Sequence, residues 1–535
     1  MRNFDFIVVG SGSAGGIVAA RLSEDPAIKV LLLEAGGKPS NALLRVPVAW
    51  HVAATTNAFT WGYTSEPEAE SGARAMDQPR GRMLGGTSSI NGMMYSRGNR
   101  GDYDSWADAG LSGWSYDEVL PYFRRCETNW RGSTPFHGGD GPLYVAKNPA
   151  HPEIYPAMIE AARALGYQEL PDFHGPSQEG FGMPDFTTRG GHRESTYTAF
   201  LKPALGRRNL SIETGAQATR LRMDGTRCTG LDYIRNGTAM QASAGEVIVC
   251  AGAFNSPQLL LLSGIGPAEE LHAVGVASLH DLPSVGKNLQ DHPLVAAAYT
   301  ASRPFGFERM LRADQLALAS LQWGLLSNGP LANAPLSVQG YVRTEEGSDR
   351  PDTQFQISHV SFMARPWFPG WRAGAGNQFT AAAMQLRPDA RGSVTLRSAD
   401  PLAAPEIRLG LLATERDRTQ AREMVRFIRR FFATEPVSGL VLDEIFPGVD
   451  IEDDQALDAY IAGTIMTGAH PTSSCAMGTD AASSVVDAQL RVHGLQGLRI
   501  ADTSIMPTIV SGNTSAPAMM IGEKAADLLL GRTSA

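Results

Sequence analysis

Little in this sequence points to a disulfide framework, a metal centre, a nucleic-acid face or a membrane span. Four cysteines occur in 535 residues. Cys126, Cys228, Cys250 and Cys475 lie far apart with no Cys-x-x-Cys pair, which argues against a zinc site and for reduced, separately packed thiols. Net charge is -9, with Lys+Arg 46 against Asp+Glu 55, and no run of Lys or Arg is long enough to face nucleic acid. No window is apolar for the length of a bilayer span. The first apolar run starts within a few residues of Met1 and leaves no room for a signal or transit peptide. The expectation is a cytoplasmic chain, with peripheral membrane contact through an exposed patch left open. There is no G-x-S-x-G elbow, so hydrolases of that design are excluded. Gly286-Lys287 is not a P-loop, because Asn288 follows it and Asp281 stands where the first glycine belongs.

What is present begins at once. Phe4 to Gly37 opens with an apolar run, Phe6 to Val9, of the length and β-branched character of a buried parallel strand. It breaks into Gly10-Ser11-Gly12-Ser13-Ala14-Gly15, continues as a helical pattern through Ile17, Val18 and Leu22, and returns to an apolar run, Ile28 to Leu33. That run ends on Glu34, about 20 residues past the glycines. In such a β-α-β unit Gly10 makes the tight turn, Gly12 lets backbone N–H groups approach a pyrophosphate, and Gly15 lets helix pack on strand. Glu34 can accept hydrogen bonds from a ribose diol and would repel a 2′-phosphate, which disfavours NADP.

Further along, Gly81 to Gly98 (GRMLGGTSSINGMMYSRG) pairs glycines with small hydroxyl residues and Asn, the makings of a second close-approach loop or of a turn with a helix N-cap. Helices are expected near Asp117 to Cys126 and Pro152 to Gly166, and short strands at Leu210 to Glu213, Ala218 to Met223, Thr229 to Ile234 and Val247 to Cys250. The last strand enters Ala251-Gly252, where the sequence predicts a helix capped by Ser256, with Pro257 at its first position and Gly264 at its end. From Thr300 to about Ile461 strands at Phe355 to Val360, Thr380 to Leu386 and Ser393 to Leu396, with a helix at Glu415 to Phe432, suggest a separate antiparallel-sheet domain roofing a site. A strand at Leu498 to Ala501 and a helix opening near Pro517 close the nucleotide half.

These landmarks resemble the glucose-methanol-choline (GMC) flavoprotein oxidoreductases, among them the choline dehydrogenase and hydroxymethylfurfural or aryl-alcohol oxidase types. Gly81 to Asp104 is similar to the family's first signature and Gly252 to Gly266 to its second. His137 to Leu143, Leu282 to Pro293 (LPSVGKNLQDHP) and Ser511 to Asp527 are similar to further landmarks. The resemblance implies an α/β fold: a Rossmann-like FAD-binding domain (1–152, 196–299 and 465–535) with an inserted α+β substrate domain built on an antiparallel sheet (153–195 and 300–464). It implies FAD contacts at Gly10, Gly12, Ser13, Ala14, Gly15, Glu34 and Ala35; at Arg82, Gly85, Gly86, Ser88, Asn91, Gly92 and Met93; and at Ala218, Ala251, Gly252, Asp502, Asn513 and Thr514. Members that attach FAD covalently often carry a His just before the Asn of the first signature. Ile90 stands there, which implies non-covalent FAD.

The same match places the catalytic pair on His470 and Asn513. Oxidising an alcohol requires its hydroxyl proton to leave as a hydride departs from carbon, and His is suited to take that proton near neutrality. Asn supplies a donor and an acceptor for the same oxygen. Gly468 and Ala469 are small, which suggests room for an aryl or otherwise bulky primary alcohol. The resulting expectation is an FAD alcohol oxidase or dehydrogenase passing electrons to O2 or a quinone-type acceptor, without metal. A lyase that keeps FAD without redox turnover, a choline dehydrogenase-like activity and an NAD-dependent dehydrogenase are the competing readings. Oligomeric state is open.

Overall fold

The computed structural model describes residues 2–532. Its first layer is a seven-stranded sheet centred on Arg2–Val9, which pairs in parallel with Val30–Glu34 on one side and Thr238–Val249 on the other. Ile7 faces Leu31 and Val247 across the two ladders, and all three are fully buried. Both faces of these strands are covered, so the sequence runs continuously apolar instead of alternating. Leu210–Thr214 extends the sheet in parallel beyond Val30–Glu34, and Leu498–Ile500 adds in parallel to the end of Thr238–Val249. The hairpin Ala216–Asp224 and Arg227–Arg235 joins the start of that long strand antiparallel.

Helix Gly15–Leu22 and the terminal helix Ser515–Leu530 cross closely on this sheet. A Cβ on Gly522 would lie 2.6 Å from the Ala14 carbonyl oxygen. Arg21 and Arg125 both bond Glu523, which is fully buried. A buried carboxylate of this kind is tolerable because it is paired and hydrogen-bonded.

The second sheet is antiparallel, in the order Val441–Phe446, Pro293–Ala301, Gln378–Gln385, Thr353–Ser358, Leu336–Val342 and Gly180–Gly182. Thr353–Ser358 (TQFQIS) alternates cleanly. Phe355 and Ile357 face the helix Glu415–Ala433, whose Phe427, Phe431 and Phe432 complete an aromatic core. Phe355 sits 5.1 Å from Phe431 and 5.3 Å from Phe427, centroid to centroid. Gln354, Gln356 and Ser358 turn the other way, opposite Met384, Ala382 and Thr380 of the neighbouring strand, and roof a cavity.

Three expectations need correction. A boundary at 299 cuts the strand Pro293–Ala301, all of which belongs to the second sheet, and Met466–Thr467 pairs with its start. The change of sheet therefore falls just before Pro293. Ser256 and Pro257 do not begin a helix: the helix spans Gly252–Leu262, and Ala251 precedes it. Pro517 stands third in the terminal helix, which starts at Ser515. Proline lies within the first turn there, where its missing N–H is not needed.

Candidate active site

A cavity of about 1030 Å³ runs between the two sheets, from Gly10 and Glu34 at one end to His470 and Asn513 at the other. At the first end Gly10 adopts a left-handed φ of +94° and lies against the Cys250 carbonyl. A Cβ on Gly15 would be 2.1 Å from the Gly10 carbonyl oxygen, so only glycine lets helix and turn close up. A Cβ on Gly12 would meet nothing within 4 Å; it would point into open space on the cavity wall. No side chain caps the helix that follows, so its amino end is free to face an anion.

Glu34 is buried, which raises its carboxyl pKa, and three protein donors oppose that shift: Ser11 N at 3.1 Å, Ser11 Oγ at 2.6 Å and Gly36 N at 2.8 Å. Ser13, Ala14, Ala35, Gly86, Asn91, Gly92, Met93, Ala218, Ala251, Gly252, Asp502 and Thr514 all line the same space. Gly15, Gly85 and Ser88 do not; they sit behind the wall and shape it. Ser88 Oγ donates to the Gly85 carbonyl at 2.6 Å and accepts from Thr196 N at 3.0 Å. Arg82 is exposed, its guanidinium 4.6 Å from the Trp61 ring and within reach of Gln217. Asp502 accepts from Gly252 N at 2.8 Å, Ser256 Oγ at 2.5 Å and Ser504 N at 2.8 Å, so the hydroxyl expected to cap a helix serves this carboxylate.

At the far end a chain of hydrogen bonds fixes one imidazole. His292 Nε2 lies 3.1 Å from the Val510 carbonyl oxygen, which can only accept, so the proton of a neutral His292 sits on Nε2. His292 Nδ1 is then an acceptor, 3.0 Å from His470 Nδ1, which must donate. His470 Nε2 keeps its lone pair and receives the Asn513 Nδ2 donor at 3.1 Å. Gln354 Nε2 donates to Asn513 Oδ1 at 3.1 Å and so sets which way that amide faces. Burial lowers the His292 pKa to about 3. Burial, His292 and then Arg80 hold His470 well below its usual value. Both rings are neutral at pH 7, and His470 is a base with its lone pair presented.

Backbone anchors hold this pair. Asp291 Oδ1 accepts from the N–H groups of His292 and His470, each at 2.8 Å, and Oδ2 accepts from Thr467 Oγ1 at 2.7 Å. Arg80 donates to the Ala469 carbonyl at 2.6 Å, a buried cation whose pKa burial brings down to about 10. Gly468 and Ala469 both line the cavity, and at Gly468 the small size also serves packing. A Cβ there would lie 2.7 Å from Met384 Sδ and 2.9 Å from His470 Nδ1, so packing of the histidine requires glycine. Room above the site comes also from Ala334, Ser358 and Ala382.

Four side chains at the cavity or directly behind its wall were not assigned from sequence. His292 lies inside a landmark, the Asp-His-Pro of 291–293. Arg80 and Gln354 carry no local signal of facing a site. Arg193 is buried, bonds the carbonyls of Leu44 and Asn91 and the Asn91 Oδ1, and has no carboxylate partner among the described residues. Burial lowers its pKa to about 9.

The residues fit an FAD. The wall is open at Gly12 where a side chain would intrude, and the helices beginning at Gly15 and Ser515 both lack side-chain caps. The space is large enough for a cofactor together with a substrate. Among the described residues no cluster of His, Cys, Asp or Glu could hold a metal ion, and all four cysteines are buried and free.

Known proteins bear on these observations. Two GMC oxidoreductase family models match residues 4–294 and 388–522. An oxygen-dependent choline dehydrogenase of Xanthomonas axonopodis pv. citri is 41% identical over 541 residues, covering 99% of this chain and 96% of that one. Pyridoxine 4-oxidase from Mesorbium loti superposes with a TM-score of 0.87 at 32% identity, over 98% of both chains. A variant formate oxidase of Aspergillus oryzae RIB40 reaches a TM-score of 0.91 at 26% identity, over 99% of this chain and 98% of that one.

Proposed function

From the premise that the chain belongs to the GMC oxidoreductase family and is an FAD-dependent alcohol oxidoreductase, we propose that it oxidises an uncharged, bulky primary alcohol, aryl alcohols included, to the aldehyde. The observation that carries this is the His292–His470–Asn513–Gln354 chain, which aims a neutral Nε2 into a largely apolar cavity. Bound FAD supplies the acceptor for the hydride that leaves the alcohol carbon. His470 Nε2 takes the hydroxyl proton, and Asn513 Nδ2 donates to the same oxygen and holds it in line. The fixed tautomer spares the ring any rearrangement at the moment of reaction. Arg80 places a buried positive charge beside the group that develops alkoxide character. Non-covalent FAD is part of the proposal, because the apolar Ile90 on the cavity wall offers no atom for attachment. O2 is the proposed electron acceptor, with a quinone-type carrier as the alternative.

Choline is the second reading, favoured by the activity named for the relative that is 41% identical. Against it, the carboxylates lining the cavity are Glu34 and Asp502, and both are engaged by protein donors. Beside His470 the Asp291 carboxylate is taken up by the N–H groups of His292 and His470 and by Thr467, and the remaining charges at the cavity wall are Arg80 and Arg365. A quaternary ammonium finds no free anion there.

The test is an anaerobic visible spectrum of the purified protein with benzyl alcohol, hydroxymethylfurfural and choline in turn, followed by air. Bleaching by the aryl alcohols with a kcat/KM at least tenfold above that for choline is expected, and rapid recovery in air identifies the oxidase. The opposite ratio establishes choline, and a flavin spectrum that no alcohol bleaches returns weight to a lyase. His470→Ala should keep its flavin spectrum and lose about 10²- to 10⁴-fold in the reductive rate.

A further inference from the structure

The helix Ala313–Leu326 (ADQLALASLQWGLL) carries leucines on two opposite faces, with Asp314, Gln315, Ser320 and Gln322 as its polar residues. Leu316, Ala319 and Trp323, three and four residues apart, pack inward with Val46, Met310 and Leu331. Leu318, Leu321 and Leu325 repeat that spacing on the other side and stand 61%, 60% and 73% exposed. A helix with leucines on opposite faces belongs in a core or against lipid, and this one has a covered side and an uncovered one.

Two neighbouring segments extend the uncovered side. Ala313 N donates to the Trp367 carbonyl at 2.8 Å and Trp367 N to the Leu311 carbonyl at 3.2 Å, which fastens the loop 362–372 to the start of the helix. Phe362, Met363, Phe368 and Trp371 of that loop are exposed. Arg365 acts electrostatically on His51, which places the loop beside the exposed Trp50 and Val52. Trp50, Val52, Leu316, Ser320, Phe362 and Pro366 also line the active-site cavity, so the cavity opens within this face.

The charge pattern is one-sided. Residues 46–65, 315–342 and 353–376 contain no Asp or Glu, in a chain whose Asp+Glu total is 55. Their only Lys or Arg residues are Arg365 and Arg372, both exposed, the latter 4.9 Å from the Trp371 ring. The uncovered side carries one acid, Asp314 in the first turn of the helix, and Arg312 pairs it; Glu308 accepts from the Ala375 N–H at 2.8 Å. Leucines, aromatic rings and two arginines, with that single paired acid at the edge, match the acyl boundary, the interface and the headgroups of an anionic bilayer.

We infer that this face docks on the surface of an anionic phospholipid bilayer, with Leu318, Leu321 and Leu325 entering the acyl boundary, Arg365 and Arg372 on lipid phosphates, and the cavity opening toward the membrane. The attachment is peripheral: among the described residues no helix is long and apolar enough to cross a membrane. An apolar mouth at a lipid surface collects amphipathic alcohols from the bilayer without their passing through water, whatever alcohol the site prefers.

The experiment is co-sedimentation of the flavin-loaded full chain with vesicles of phosphatidylcholine alone and of phosphatidylcholine with phosphatidylglycerol, at low and high salt. Binding to the anionic vesicles is expected, at least tenfold weaker on pure phosphatidylcholine, weakened by salt, and reduced at least tenfold in Leu321→Asp/Leu325→Asp. Arg372→Glu, which leaves the leucines in place, should lose the preference for anionic lipid. Flavin absorbance and turnover of a soluble short-chain alcohol, both unchanged, show that the variants are folded. No binding to either vesicle, or binding indifferent to both variants, overturns the inference. So does light scattering that finds a dimer which the leucine variant dissociates, because the face is then an interface between two copies of this chain.

Discussion

A histidine buried beside another histidine is an unusual base, and its usefulness rests on which nitrogen carries the proton. The Val510 carbonyl decides this at a distance, by holding the His292 proton on Nε2 and so leaving Nδ1 to accept from His470. His292 is therefore a positioning residue. Replacing it with Phe removes the acceptor, leaves the His470 Nδ1–H buried without a partner, and lets the other tautomer compete. The reductive rate with benzyl alcohol is expected to fall about 10²-fold. Because His292 is one of the groups that lower the His470 pKa, the acid limb of the pH–rate profile should also move up toward 6.5. Stopped-flow reduction from pH 5 to 8 checks both expectations. A slower enzyme with an unmoved limb would mean that His292 merely fills space. At this scale legibility followed motif. Asn513 is readable because it sits in the landmark stretch Ser511 to Asp527, His470 only through the family resemblance as a whole, and Gly10, Gly12 and Gly15 because their mechanism fixes their spacing. Gln354 and Arg193 are not readable. Alternation in TQFQIS marks a strand but not which face meets a cavity, and Arg193 bonds Leu44 and Asn91 from 149 and 102 residues away.

The helix Gly252–Leu262 shows how a local signal can mislead at the scale of an element. Ser followed by Pro is a good helix start, yet here both lie inside the helix. Pro257 cannot donate to the carbonyl of Ala253, four residues back, and its ring pushes that carbonyl outward. Ser474 Oγ, from a segment 221 residues away, donates to the same carbonyl at 2.6 Å and occupies the vacancy. Ser256, meanwhile, accepts from Ala251 N and donates to Asp502 on the cavity wall. Both compensations are tertiary, so nothing near the proline in the chain announces them. Ser474→Ala should cost about 1–3 kcal/mol, the penalty of a buried carbonyl left unpaired. Adding Pro257→Ala restores a backbone donor, so the double variant should recover much of the loss. Urea unfolding of the four proteins, wild type included, forms the cycle. Equal and additive losses would show that Ser474 and Pro257 are not coupled through this carbonyl. The first β-α-β unit makes the contrast: Thr238–Val249 and the terminal helix pack on it too, yet its strands, helix and turn each carry their own local pattern and were legible.

Across the whole molecule, burial of uncharged imidazoles ties stability to acidity. Burial lowers the pKa of His292 and His174 to about 3 and of His359 to about 4, and holds that of His470 well below 6.5. The unfolded chain takes up these protons at 6.5 while the folded one does not. Between pH 6.5 and about 4.5 the unfolded state binds more protons, so stability present above 6.5 drains away as the pH falls. Each such histidine costs roughly 2 kcal/mol at pH 5. His137 runs the other way, because Asp172 and Glu127 raise its pKa against the effect of its burial, but it is one against six, since burial lowers His51 and His192 as well. The buried carboxyls Glu34, Asp102, Asp185 and Asp291, all raised by burial, work against this loss, because the fold takes up their protons at a higher pH than the unfolded chain, which does so at 4.5 for Glu34 and 3.8 for the aspartates. The melting temperature, measured with saturating FAD, should therefore drop by about 5 °C or more between pH 7 and pH 5, with the slope steepening down to about pH 5, midway between the folded and unfolded pKa values. A melting temperature flat over that interval would mean that the two sheets admit protonated histidine without opening. The inward-facing His292–His470 pair would then be solvated, and the fixed tautomer on which the proposed base depends would be lost with it.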